Sequence, residues 1–140
     1  MRRALLVAIL VAGCATPAGA PVDVCDGSWR EVESVIVIPG GSGERPVDLA
    51  CIRQVDDRRV RIGFEMPGGP DCLRLSRLEL VESGDAVSIA LFVAANDDPA
   101  AGACAPGARR VATEVDLQAP VDDRALLDGN AVLEPLGSSG

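Results

Sequence analysis

Residues Leu73–Ala95 read LRLSRLELVESGDAVSIALFVAA, and this stretch decides the fold. Two apolar runs flank Ser83-Gly84-Asp85, which predicts strands over 73–82 and 86–95 joined by a tight turn at Gly84-Asp85. In the second run Val87, Ile89, Leu91 and Val93 alternate with Ser88, Ala90, Phe92 and Ala94. Both sides of that strand are apolar, which predicts a central position in a sheet. In the first run the phase slips: Leu73 and Leu75 share one parity, Leu78 and Leu80 the other. A bulge near Ser76-Arg77 would bring all four leucines to one face.

The same period continues outward from the hairpin. Val60, Ile62, Phe64 and Met66 alternate with Arg59, Arg61, Gly63 and Glu65, the pattern of a strand with one solvated face. Val111, Thr113, Val115 and Leu117 repeat it. Val35-Ile36-Val37-Ile38, closed by Pro39-Gly40-Gly41, reads as a buried strand, and Val47–Val55 and Arg124–Leu127 are weaker strands. Turn residues separate these segments, and Pro or Gly interrupts nearly every longer segment, so no long amphipathic helix is expected. The expectation is an all-β domain, a small antiparallel β-sandwich of about seven strands with two disulfides.

Composition narrows the chemistry. The chain has 140 residues and a formal net charge of −8, with 13 Arg and no Lys, His or Tyr. Without Arg2 and Arg3, 11 Arg stand against 21 Asp and Glu, a net of −10. So acidic a surface repels phosphate backbones, which argues against a nucleic-acid partner. Without His there is no Ser-His or Cys-His pair and no His-ligated zinc. Without Lys there is no Schiff base and no P-loop lysine. No catalytic motif, cofactor site or metal site is expected, and the chain reads as a non-enzyme. Trp29, Phe64 and Phe92 are the aromatics, too few for a stacking platform.

The N-terminus opens with Met1-Arg2-Arg3, then the apolar run Ala4–Val11, then Ala12 and Gly13, the layout of an export signal. Ala18-Gly19-Ala20 offers an A-x-A cleavage site, but Pro21 would follow the cut. Val11-Ala12-Gly13-Cys14 resembles the bacterial lipobox, Leu/Val-Ala/Ser/Thr-Gly/Ala-Cys. That resemblance implies cleavage before Cys14, diacylglycerol on its sulfur and a third acyl chain on the new amine. Two or three chains anchor a protein stably at a membrane. The expected organisation is a signal segment over 1–13, a lipidated Cys14 with a tether over 14–23, a β domain over 24–136 and a tail over 137–140. The expected location is the outer face of the cell membrane.

Cys25, Cys51, Cys72 and Cys104 are even in number and show no C-x2–4-C pair, which reads as two disulfides rather than a metal site. Three pairings are open, and the hairpin register favours one. With Ser83 opposite Ala86 and no further shift, Cys72 faces Asp97, and Cys104 follows after a short loop. Cys72–Cys104 then leaves Cys25–Cys51. Each bridge closes a loop of roughly 25–35 residues, worth ~3–4 kcal/mol in a chain-entropy account.

The run Cys72–Glu82, Asp85 and the strand from Val87 are followed by Asp98-Pro99-Ala100-Ala101-Gly102-Ala103-Cys104. Val115-Asp116-Leu117, Pro120, Arg124 and Leu127-Asp128-Gly129 come after it. This pattern resembles small exported or lipidated proteins of high-GC Gram-positive bacteria, a family with no assigned activity. The resemblance implies a fold and a location, and it agrees with the Cys72–Cys104 pairing. Leu75-Ser76-Arg77 departs from the family's tighter spacing, and Ala105-Pro106-Gly107 stands where the family is apolar.

The long loop from Asn96 to Arg110, pinned by Cys104, is the candidate binding surface, with Asn96, Asp97, Asp98, Arg109 and Arg110 as its polar groups. Asn96-Asp97-Asp98 before Pro99 also reads as an ordinary turn. Gly40-Gly41-Ser42-Gly43 misses the G-x-S-x-G elbow because Glu44 takes the last position. Arg58-Arg59-Arg61 and Arg109-Arg110 are expected to pair with nearby carboxylates. The function expected is a membrane-anchored, non-enzymatic binding or structural module for an envelope protein or small ligand. Two alternatives are an extracellular protease inhibitor presenting the 96–110 loop, and a carboxylate-dependent hydrolase using a pair such as Asp56-Asp57 or Asp122-Asp123.

Overall fold

The computed structural model describes residues 17–98, 104 and 106–131. Nine strands form in chain order: β1 (Ala20–Pro21), β2 (Glu33–Ser34), β3 (Arg45–Val47), β4 (Leu49–Asp56), β5 (Arg59–Pro67), β6 (Leu73–Glu82), β7 (Ala86–Ala95), β8 (Ala108–Asp116) and β9 (Ala125–Asp128). One short 3-10 turn, Gly27–Trp29, precedes β2. The all-β class and both expected disulfides, Cys25–Cys51 and Cys72–Cys104, are present.

The sheets are mixed rather than purely antiparallel, and the described residues form nine strands rather than seven. In one sheet β7 pairs with β6 along its whole length, and its other edge is shared end to end by β9 and then β3. β9 runs parallel to β7, and β1 adds outside β9. The second sheet runs β2-β8-β5-β4, with β2 parallel to β8. Inward side chains of both sheets form a single cluster: Ile52, Val60, Ile62, Phe64, Met66 and Val111 from one, and Leu75, Val87, Ile89, Leu91 and Val93 from the other. These apolar side chains leave water together, at about 25 cal/mol per Å2 of surface removed.

The hairpin forms as read, with Ser83 N–H donating to Ala86 O at 2.9 Å across the turn. The bulge falls between Leu75 and Arg77, and Leu78 and Leu80 join Leu73 and Leu75 against the core. That bulge also shifts the register beyond it. Leu73 therefore faces Ala95, not Asn96, and Asn96 N–H bonds Cys72 O at 2.9 Å, so Cys72 stands opposite Asn96 rather than Asp97.

Three readings need correction. Val35–Ile38 is not a buried strand. Val35 N–H bonds Ala112 O on β8, and Ile38 N–H bonds Leu75 O on β6, so the segment laces the edges of two sheets. Only Val35 packs on the core, while Ile36 is 73% and Ile38 48% exposed. Val47–Val55 is not one strand either: the chain passes at Asp48 from β3 in one sheet to β4 in the other. The folded part also begins before residue 24. Ser88 Oγ donates to Ala18 O at 2.6 Å, Ala20–Pro21 pairs with β9, and Val22 packs against the core. The expected signal segment, Cys14, the first part of the tether, residues 99–103 and 105 of the 96–110 loop, and the end of the chain from 132 lie outside the described residues.

Candidate functional site

Register builds a cleft on the outer face of the second sheet. Pairing aligns Cys51, Gly63 and Ala112 in one row across β4, β5 and β8, and Arg53, Arg61 and Glu114 in the next. The first row is nearly without side-chain bulk, so another segment can approach the backbone. Residues 25–30 do so. Cys25 is bonded to Cys51, and the Asp26 carboxylate caps the 3-10 turn by accepting the Ser28 N–H at 2.8 Å. The Trp29 ring lies on Gly63, where an added Cβ would stand 2.6 Å from Trp29 Cε3 and 2.8 Å from Cys51 Sγ. The Arg110 guanidinium stacks over the Trp29 ring at 4.5 Å and donates to Ser28 Oγ at 2.9 Å.

Beside this turn opens a cleft of about 350 Å3. Gly63 and Ala112 contribute its floor, and Trp29, Arg30, Arg53 and Arg61 line it with Asp26. Arg61 is tied down: it donates to Val32 O at 3.0 Å and Ser34 Oγ at 2.8 Å, with Glu114 3.6 Å away. The guanidinium groups of Arg30 and Arg53 have no hydrogen-bond or ion-pair partner among the described residues. Hydrogen bonds from the Ser28 hydroxyl and N–H hold the Asp26 carboxyl below its ordinary pKa of 3.8, with Arg110 acting in the same direction. Guanidinium groups donate and stay protonated, so the cleft suits recognition of negative charge rather than proton transfer.

The residues singled out in the 96–110 loop divide between two places. Arg74 donates to Asp97 at 2.9 Å, and Asn96 Nδ2 donates to Pro70 O at 2.7 Å, so Asn96 and Asp97 close the end of the β6–β7 hairpin. Asp98 N–H bonds Asn96 Oδ1 at 3.2 Å, an Asx turn. Arg109 and Arg110 lie within β8 instead of on a loop. Arg109 pairs with Glu33 at 2.8 Å, and Arg110 covers Trp29. Of the other basic spots, Arg59 pairs with Asp116 at 2.8 Å, and Arg58 N–H bonds Asp56 Oδ1 at 3.0 Å in the β4–β5 turn. Among the described residues, no three His, Cys, Asp or Glu side chains gather as a metal site would require.

A second cleft, about 380 Å3 and largely apolar, lies beneath the lacing segment, where Val35, Ile36 and Ile38 meet Met66, Leu73 and Leu75.

Sequence reasoning did not find Trp29, Arg30 and Arg53 as a group. A plain two-residue turn at Asp57-Arg58 would set Arg53 opposite Ile62. The irregularity between Gln54 and Asp56 moves it one place, opposite Arg61. No side-chain pattern in the sequence marks that shift.

Compared with protein-family models, curated proteins and solved structures, the chain has no match.

Proposed function

We propose that the protein is a lipid-anchored, non-enzymatic binding module held at the outer face of the cell membrane through Cys14. The observation that carries this reading is how early the fold begins. Ala18, Gly19 and β1 are built into the sheet, with Ala18 O accepting from Ser88 and β1 paired to β9. Gly19, at φ +135°, lies so close to Asp128 O that a Cβ would stand 2.0 Å from it. Cleavage after Ala20 would cut through this pairing. Cleavage before Cys14 keeps it and leaves Ala15-Thr16-Pro17 between the lipid and Ala18, whose carbonyl is held by Ser88. Three residues reach at most ~10 Å, so the domain would stand close to the bilayer.

Two disulfides suit an oxidising, exported setting. The lipobox match and the resemblance to exported proteins of high-GC Gram-positive bacteria agree with it. The lack of His, Lys and Tyr supports binding over catalysis. Cell fractionation of wild type and Cys14→Ala tests the anchor: wild type belongs in the membrane fraction and the variant outside it. A variant that stays in the membrane fraction overturns the reading.

A further inference from the structure

We infer that the cleft beside Trp29 binds a small, multiply charged oxyanion, a phosphate group on a small molecule being the closest fit. The inference deepens the binding-module reading by naming a ligand class.

The first observation is a like-charge pair. Arg53 and Arg61 are directly opposite in the β4–β5 register and on the same outer face. Like charges directly opposite across a strand pair destabilise it. Elsewhere on the same sheets the pattern is complementary: Arg59 lies opposite Asp116, Arg61 opposite Glu114, and Glu65 opposite Arg110. The Arg53–Arg61 pairing breaks that pattern at the wall of a cleft.

The second observation is charge left uncompensated in an acidic protein. Ten more carboxylates than guanidiniums follow the N-terminal segment, yet Arg30 and Arg53 have taken none among the described residues. Arg61 is held by two hydrogen bonds and a long ion pair to Glu114, a scaffold that fixes its guanidinium at the cleft. Its side chain is only 13% exposed, so part of this positive charge is sheltered from water. Asp26 is the one carboxylate in the lining, and it already accepts from Ser28.

The third observation is shape. The row Cys51-Gly63-Ala112 keeps the floor low, and the Cys25–Cys51 bridge fixes the wall that carries Trp29 and Arg30. A volume of about 350 Å3 admits a phosphate or a small phosphorylated compound. Guanidinium forks meet phosphate oxygens in bidentate fashion, and two or three forks match its charge and tetrahedral oxygens.

The test uses the full chain in detergent, with inorganic phosphate and pyrophosphate as probes against chloride at equal ionic strength. Citrate is a second arm, and vesicles of phosphatidylglycerol or phosphatidylcholine a third. Trp29, the only tryptophan, reports binding by fluorescence. Wild type is expected to bind pyrophosphate at submillimolar concentration, and Arg53→Gln and Arg30→Gln each to weaken it at least tenfold. Arg45→Gln, on β3, leaves it unchanged. In chloride Arg53→Gln melts at or above the wild-type temperature, because the like-charge cross-strand pairing is gone, and it gains less from pyrophosphate. Binding to phosphatidylglycerol vesicles with the same dependence on Arg30 and Arg53 assigns the phosphate to a lipid headgroup and supports the inference. Tighter binding of citrate than of either phosphate probe overturns the phosphate assignment. Failure of all probes below 10 mM, or equal loss in Arg45→Gln, overturns the inference. Either failure leaves the Cys14 fractionation result standing, and a failed anchor leaves anion binding still measurable.

Discussion

The Asp128 carboxylate accepts the backbone N–H of Leu49 at 2.9 Å, joining the end of β9 in one sheet to the start of β4 in the other. Asp128 is 3% exposed, and its second oxygen accepts the Asn130 N–H at 2.9 Å. Asn130 in turn donates to Leu91 O at 2.9 Å, where β9 gives way to β3 along the edge of β7. Removing the acceptor leaves a buried N–H unsatisfied, at about 1–3 kcal/mol for that group. Asp128→Ala is therefore expected to lower unfolding stability by about 2–4 kcal/mol in urea titrations at unchanged slope. A loss under 0.5 kcal/mol would show that the clasp contributes little.

A second tie is the Arg124–Glu82 pair at 3.0 Å, with side chains 7% and 13% exposed. Arg124 also donates to Ser83 O, Pro120 O and Ala119 O, so it holds the approach to β9 against the β6–β7 turn. Breaking a mostly buried pair strands the remaining charge, at about 3–5 kcal/mol. Arg124→Ala and Glu82→Ala should each destabilise strongly, and the double variant by clearly less than their sum. An additive cycle would mean the two side chains act independently.

At Gly63 the second sheet and the segment above it approach closely. Gly63→Ala would place a Cβ inside contact distance of both Trp29 and Cys51. The expected result is a red shift of Trp29 emission as the ring is pushed toward water, together with a lower melting temperature. Unchanged emission would mean that the ring is free to move aside.

Acid should weaken the contact between β3 and the β6 bulge. Hydrogen bonds from Arg77 and Ser76 hold the Glu44 carboxyl below its ordinary value of 4.5. A group with a depressed folded pKa contributes stability above its unfolded pKa and loses it as pH falls through the folded one. The stability difference between wild type and Glu44→Gln should thus be flat at neutral pH and shrink below about pH 4.5. A difference that grows on acidification would reverse the sign assigned here.

Strand periodicity carried much of this architecture in the sequence. The hairpin Leu73–Ala95, its bulge and the inward rows of β5 and β8 all follow from period-two alternation, because one face of each strand is buried. Edges were harder. Val35–Ile38 has the composition of a core strand, but pairing and not hydropathy decides where an edge segment runs. The parallel placements of β2 and β9 depend on long connections that leave no local mark. The cleft arginines were hidden for a related reason. Arg53 meets Arg61 only because of one irregularity near Val55, a shift of a single residue that no side-chain pattern signals.

The most direct test of the anchored-module account is mass analysis of the mature N-terminus on protein purified from membranes. The account expects a chain that starts at Cys14 and carries diacylglycerol on the sulfur, with Ala18, Gly19 and β1 retained. A chain starting at Pro21, or an unmodified Cys14 within an uncut N-terminus, would contradict it.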